Sequence, residues 1–200
     1  YSENFFHLSR NFRLQKVGNI EWLKDNYQLN RTYQFIDELA FFFVSRNYDY
    51  KEKMKFFDNI NNLRKQLFCP IMIGGGIKNF DDARICFENG ADKIFISTEF
   101  TNLELINKIS EVYGNQSISV VLDYKRKNNT FEIFTNCGKT KVSSDLEKVF
   151  LKLQKENIGE IILHSIDRDG TGNGYDLKIF DELELKSNKP LILMGGAGQP

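Results

Sequence analysis

The chain has 200 residues with 27 basic and 27 acidic side chains, a formal charge of zero, and it is 41% hydrophobic and 14% aromatic. That composition fills a sizeable core and excludes a disordered chain, and zero net charge excludes a whole-protein nucleic-acid footprint. No apolar run reaches the roughly 18 residues of a transmembrane span. Residues 4–18 (NFFHLSRNFRLQKVG) alternate in polarity and predict a hairpin arm, and a short helix is expected over 20–27. From there, short apolar runs alternate with amphipathic stretches. Strands are expected at 41–44, 70–73, 93–97, 118–123, 160–165 and 190–194. Each is rich in Ile, Val or Phe without clean polar alternation, as in parallel strands covered on both faces. Helices are expected at 50–66 (Met54, Phe57, Ile60 and Leu63 on one face), 81–88, 103–112, 146–155 and 175–185. The segment KRKNNTFEIFTNCGKT interrupts the rhythm and reads as a hairpin with an Asn-Asn turn, projecting from the C-terminal side of the sheet.

Three cysteines, Cys69, Cys86 and Cys137, form no CxxC pair. They read as reduced thiols of a cytoplasmic protein, packed as small hydrophobes, with no metal site. No Pro/Gly/Ser-rich linker divides the chain, so residues 1–200 read as one domain.

Repeated β-α units imply a parallel sheet, either a closed (β/α)8 barrel or an open doubly wound sheet. An internal repeat favours the barrel. PIMIGGGI and PLILMGGAG are the same pattern twice, with glycine clusters beginning at Gly74 and Gly195, 121 residues apart. Doubling that spacing gives roughly 240 residues, close to the ~250 of a (β/α)8 barrel. The expectation is an α/β (β/α)8 TIM barrel, incomplete here, with its first strand before Tyr1 and its last β/α unit after Pro200.

The residues that carry chemistry follow the strands. Gly75 and Gly76 in one half, and Gly195 and Gly196 in the other, let backbone amides approach an anion. The matched pair suggests a substrate with two phosphates. Ser97 and Thr98 close a strand, where hydroxyls either donate to a phosphate or cap the next helix. Asp123 ends ISVVLD as either a general acid/base or a solvated loop carboxylate. Asp169, Gly170 and Thr171 form a turn suited to phosphate. His164 reads as a lining residue rather than a base, and His7 has no assigned role. Glu38, Lys93 and Glu160 stand at strand starts, where simple salt bridges are expected. Lys125, Arg126 and Lys127 read as a solvated turn.

The segments GGGIKNFDDAR, GADKIFIST, VVLDYKR, FTNCGK, GEIILHSIDRDGTGNGYD and GGAG resemble the cyclase subunit of imidazole glycerol phosphate synthase, the HisF family, from about Asp37 to Gly198. The resemblance implies a cytoplasmic (β/α)8 enzyme without cofactor. It would take ammonia from a glutamine amidotransferase (glutaminase) partner and act on a bis-phosphorylated ribonucleotide. It implies that Asp123 is catalytic. Gly75, Gly76, Ser97, Thr98, Asp169, Gly170, Gly195 and Gly196 then fall on phosphate-binding positions, with Ser97 where the family usually has Asn. Glu38, Lys93 and Glu160 match three of the four charges of the ammonia gate, the fourth being a first-strand arginine outside the chain. Two departures stand out. Phe43 occupies the place of a family Asp, and the usual Gly-Asp-Pro of the N-terminal segment is missing. The family's first catalytic aspartate is expected just before Tyr1. These changes on the substrate side admit a paralogue that amidates a nucleotide sugar (acetamido to acetamidino) for surface polysaccharide. A non-catalytic barrel binding a phosphorylated ligand is a third reading.

Overall fold

A computed structural model describes residues 1–45, 49–128, 130–183 and 186–198. The contacts group into two compact units. The first holds residues 1–8 and 15–95, and the second holds 9–14 and the chain from 96 onward. The class is α/β with parallel β-α repeats, as expected.

The N-terminal arm is the predicted hairpin, β1 (Phe6–Arg10) and β2 (Arg13–Gly18). Its tip, residues 9–14, groups with the second unit.

In the first unit, α1 (Ile20–Tyr27) begins where the Asn19 side chain accepts from the Trp22 amide, and it ends at Gln28 in a left-handed conformation. A four-residue turn of helix, α2 (Leu29–Thr32), precedes β3 (Leu39–Phe42). Then follow α3 (Tyr50–Arg64), β4 (Ile71–Gly74), α4 (Phe80–Glu88) and β5 (Lys93–Ile96). Asp49 and Asn79 cap α3 and α4, which satisfies backbone amides that the first helical turn leaves without partners.

The buried face of α3 is Phe56, Phe57, Ile60 and Leu63, while Met54 is only half-buried. The helix also buries Lys53, which pairs with Asp82 of α4 at 2.8 Å.

β3, β4 and β5 are parallel neighbours. Strand residues alternate faces, so their register puts Ala40, Met72 and Lys93 on one side together with Phe42, Gly74 and Phe95. Phe42 and Phe95 stack, with centroids 4.7 Å apart. A Cβ on Gly74 would come within 2.6 Å of the Phe95 Cβ, so glycine is required between the two rings.

In the second unit, α5 (Leu103–Tyr113) leads to β6 (Ile118–Lys127), β7 (Thr130–Thr135) and β8 (Thr140–Ser143). After these come α6 (Leu146–Leu153), β9 (Glu160–Ser165), α7 (Lys178–Leu183) and β10 (Leu191–Met194). The strands run β10-β9-β6-β7-β8, the first three parallel and the last three an antiparallel meander.

The expected hairpin is therefore larger. The strand expected over 118–123 continues to Lys127 and forms the first arm of the meander. Asn129 of the expected Asn-Asn turn lies outside the described residues. The second turn takes its reversal from positive φ at Asn136, Cys137 and Gly138. The helix expected over 175–185 starts only at Lys178, and residues 184 and 185 lie outside the described residues. Of the cysteines expected to be buried, only Cys86 is; Cys69 is half-buried and Cys137 exposed. No helix among the described residues is long and apolar enough to cross a membrane.

Candidate active site

The β6–β9 register pairs Ser119 with Glu160, Val121 with Ile162 and Asp123 with His164. Paired residues of adjacent strands point to the same face, so these six form one ladder. Its middle is apolar and its two ends are polar. Four residue steps separate the ends, roughly 13 Å at strand rise.

At the C-terminal end, His164 Nδ1 lies 2.8 Å from Asp123 Oδ1, and the Ser97 hydroxyl donates to Asp123 Oδ2 at 2.7 Å. Asp123 and His164 are both buried, so Asp123 is not a solvated loop carboxylate. His164 is likewise more than a lining residue. Its Nε2 stands 3.7 Å from Asp169 Oδ1 and finds no hydrogen-bond partner among the described residues. Burial alone would lower the imidazole pKa. The hydrogen bond to Asp123 and the negative charges of Asp123 and Asp169 outweigh it and raise the value to about 9.

Asp169 is held from the other side by the hairpin tip. The Ser9 hydroxyl and the Phe12 amide both donate to its Oδ2, and the Phe12 ring lies 5.0 Å from the His164 ring. Asn11 adds side-chain bonds to the carbonyls of Ile166 and Asp167. Burial pushes the Asp169 pKa up, but His164 and the Ser9 and Phe12 donors reverse this and hold it low. The Asp169 carboxylate is thus engaged by His164 and the arm. A phosphate at this turn would meet backbone amides rather than that carboxylate, since like charges repel. Gly170 has φ +66, and a Cβ there would lie 2.1 Å from the Ser9 carbonyl oxygen.

The glycine clusters take the conformations that their sequence suggests. Gly195 and Gly196 both have φ +94, and a Cβ on Gly196 would meet the Gly174 carbonyl at 2.2 Å. The Gly174 amide donates to the Gly196 carbonyl, so the loop after β10 lies backbone to backbone against the loop after β9. In the first unit, Gly75 has φ +95 and Gly76 φ +67. A Cβ on Gly75 would fall 1.9 Å from the Phe43 carbonyl, whereas one on Gly76 would meet nothing within 4 Å. Thr98 Oγ1 accepts from the Asn136 amide at 3.3 Å, which ties the end of β5 to the meander.

The strand-start charges also have partners. Lys93 Nζ contacts Glu38 Oε1 at 2.6 Å, both about one-quarter exposed. Glu160 is buried and accepts from the Ser119 hydroxyl.

The structure therefore brings together Ser97, Asp123 and Asp169, and it adds His164, Ser9 and Phe12. Gly75, Gly76, Glu38 and Lys93 belong to the first unit. Arg126 was read as part of a solvated turn, but it is two-thirds buried. It forks onto Asp176, pairs with Glu182, and its backbone amide donates to Asp167. Tyr124 donates to the same Asp176. These bonds fasten the end of β6 to the loop after β9. No group of three or more metal-ligating side chains occurs among the described residues.

Comparison with known proteins adds four relationships. The family model described as "Histidine biosynthesis protein" matches residues 19–200. A protein of Parasynechococcus marenigrum (strain WH8102), provisionally named imidazole glycerol phosphate synthase subunit hisF2, is 41% identical over 199 residues, covering 99% of this chain and 73% of that protein. Imidazole glycerol phosphate synthase subunit HisF of Dictyoglomus turgidum is 34% identical over 184 residues (90% of this chain, 72% of that one). Its counterpart in Sulfurisphaera tokodaii is 34% identical over 196 residues (95% and 78%).

Proposed function

The chain belongs to the histidine biosynthesis protein family, a family of (β/α)8 barrels, and from that premise we propose that it is a HisF-type synthase subunit. In this reading it uses ammonia from a glutamine amidotransferase partner to convert a bis-phosphorylated ribonucleotide to imidazole glycerol phosphate. The observation that carries the reading is the ladder on β6 and β9. Asp123 lies at its C-terminal end, where barrel enzymes place their chemistry, and a buried Glu160 lies at its N-terminal end. Asp123 acts as the general acid/base. The positive-φ glycines Gly75, Gly76, Gly195 and Gly196, with Ser97, Thr98 and the Asp169-Gly170 turn, hold the two phosphates. Glu38 and Lys93 in the first unit and Glu160 in the second serve as ammonia-gate charges, and the amidotransferase docks at the N-terminal ends of the strands. The apolar stretch between the ladder's ends, Val121 and Ile162, suits passage of an uncharged nitrogen nucleophile.

The test is complementation of a histidine auxotroph lacking its cyclase, using the full-length gene. Rescue supports the reading. No rescue, with the protein expressed at wild-type level, sinks the histidine-pathway version.

One observation favours a second acceptor. Phe43, in the place of a family aspartate, is buried and packs against Phe56 at 5.7 Å between centroids. A phenyl ring there supplies no proton-transfer group. A HisF-like paralogue amidating a nucleotide sugar fits that loss while keeping the same ammonia mouth. Ammonia-dependent conversion of an acetamido sugar nucleotide, without any of the ribonucleotide, would establish it.

A further inference from the structure

The Asp123–His164–Asp169 row holds a feature that neither the glycine clusters nor the strand-start charges require. His164 is buried with one carboxylate beyond each ring nitrogen. A neutral imidazole carries one N–H and one bare lone pair. In either tautomer, a lone pair would face a carboxylate oxygen in a buried site. Only the doubly protonated ring offers an N–H to each side. Both carboxylates are also fixed from behind, Asp123 by the Ser97 hydroxyl and Asp169 by Ser9 and the Phe12 amide. The ring itself is held by Phe12 on one side and by its place in β9, between Leu163 and Ser165.

We propose that His164 is the positioning residue of this site: an imidazolium locked between Asp123 and Asp169 that holds Asp123 as a carboxylate in one orientation, so that Asp123 enters the reaction as a proton acceptor. This rests on the ammonia-using reading above, and it adds to it the protonation state of the key carboxylate and the residue that sets it. The raised His164 pKa has the sign this geometry demands. The charged groups facing the ring are Asp123 on β6 and Asp169 on the loop after β9.

The chain contains only two histidines, so the assignment is directly measurable. In full-length protein labelled with 15N-histidine, the ring signals lost in His164→Gln are those of His164, and those lost in His7→Gln are those of His7. Both His164 nitrogens are expected to be protonated at pH 7 and to remain so until about pH 9. In Asp123→Asn the proton affinity of the ring should fall at least tenfold, about one pKa unit. A single neutral tautomer at pH 7 in the wild type overturns the proposal, as does a titration that Asp123→Asn leaves unmoved.

A kinetic arm uses ammonium salt as nitrogen source with free ammonia held constant across pH. His164→Gln keeps a hydrogen-bond donor but no charge. It should lower kcat on the order of a hundredfold with KM little changed, and it should remove the loss of activity near pH 9. Unchanged kcat and pH profile in His164→Gln would also overturn the proposal. Absence of turnover in the wild type would count against the ammonia-using reading alone, because the NMR arm still decides the state of His164.

Discussion

Asp123 and His164 sit directly opposite each other in the parallel register of β6 and β9, and their side chains meet at 2.8 Å. The contact follows from strand geometry: one residue of register slip would turn one of the two to the opposite face. The buried apolar run of β6 and the fully buried β9 fix that register, and so fix the pair.

The pair makes stability depend on pH. The folded-state pKa of His164 is raised to about 9 from an ordinary 6.5. A raised value means that the stabilisation is complete below about 6.5 and is lost as pH climbs through about 9. The wild type should therefore lose on the order of 3 kcal/mol of unfolding free energy across that window relative to His164→Gln. Urea melts of both proteins at pH 6 and pH 10 check this. Parallel pH profiles would contradict it.

The two glycines after β4 should respond differently to alanine. Gly75→Ala combines positive φ with a Cβ 1.9 Å from the Phe43 carbonyl oxygen, a backbone atom that cannot move aside. Gly76→Ala meets only the left-handed backbone penalty, about 1 kcal/mol, because the space beside it is open. Thermal unfolding should show a modest drop in Tm for Gly76→Ala and a far larger one, or failure to fold, for Gly75→Ala. Gly76→Ala should nevertheless weaken substrate binding, since its methyl would fill the space proposed for a phosphate.

Buried charge is an independent test of the first unit. Lys53 and Asp82 meet at 2.8 Å between α3 and α4, with side-chain exposures of 3% and 10%. Lys53→Met leaves the Asp82 carboxylate uncompensated and should cost about 3–5 kcal/mol. Adding Asp82→Asn should restore part of that loss, because the unpaired charge then disappears. Chemical denaturation of the single and double variants measures the coupling.

The strand-start charges give a functional prediction. Lys93→Glu places a second carboxylate beside Glu38, within reach of the present 2.6 Å contact. Repulsion would distort the proposed ammonia mouth and leave the C-terminal ends of the strands intact. Glutamine-dependent activity with the amidotransferase partner should fall at least tenfold, while activity with free ammonia stays near wild type. Equal loss with both nitrogen sources would contradict the gate.

Much of this was legible in the residues, because it depends on local rules. Apolar runs marked the parallel strands, and the glycine clusters fell where positive φ is needed. The partnerships of His164 and Arg126 were not legible. His164 is defined by a neighbouring strand and a loop, and Arg126 by Asp176, fifty residues away in sequence. The hairpin tip was the least visible part. Ser9 and Phe12 reach Asp169 across about 160 residues of chain, and nothing in their own neighbourhood signals it. The only local hint is the positive φ of Asn11 and Phe12, which aims the tip and emerges only from the fold.

Asp123 is the residue proposed to drive an ammonia-dependent reaction on a phosphorylated ribonucleotide. Full-length wild type and Asp123→Asn should be compared for turnover of the bis-phosphorylated ribonucleotide with ammonium salt as the sole nitrogen source. The expected result is ammonia-dependent formation of imidazole glycerol phosphate by the wild type and a loss of at least a hundredfold in kcat in Asp123→Asn, with the fold intact by circular dichroism. Equal turnover by the two proteins, or none by the wild type, would contradict it.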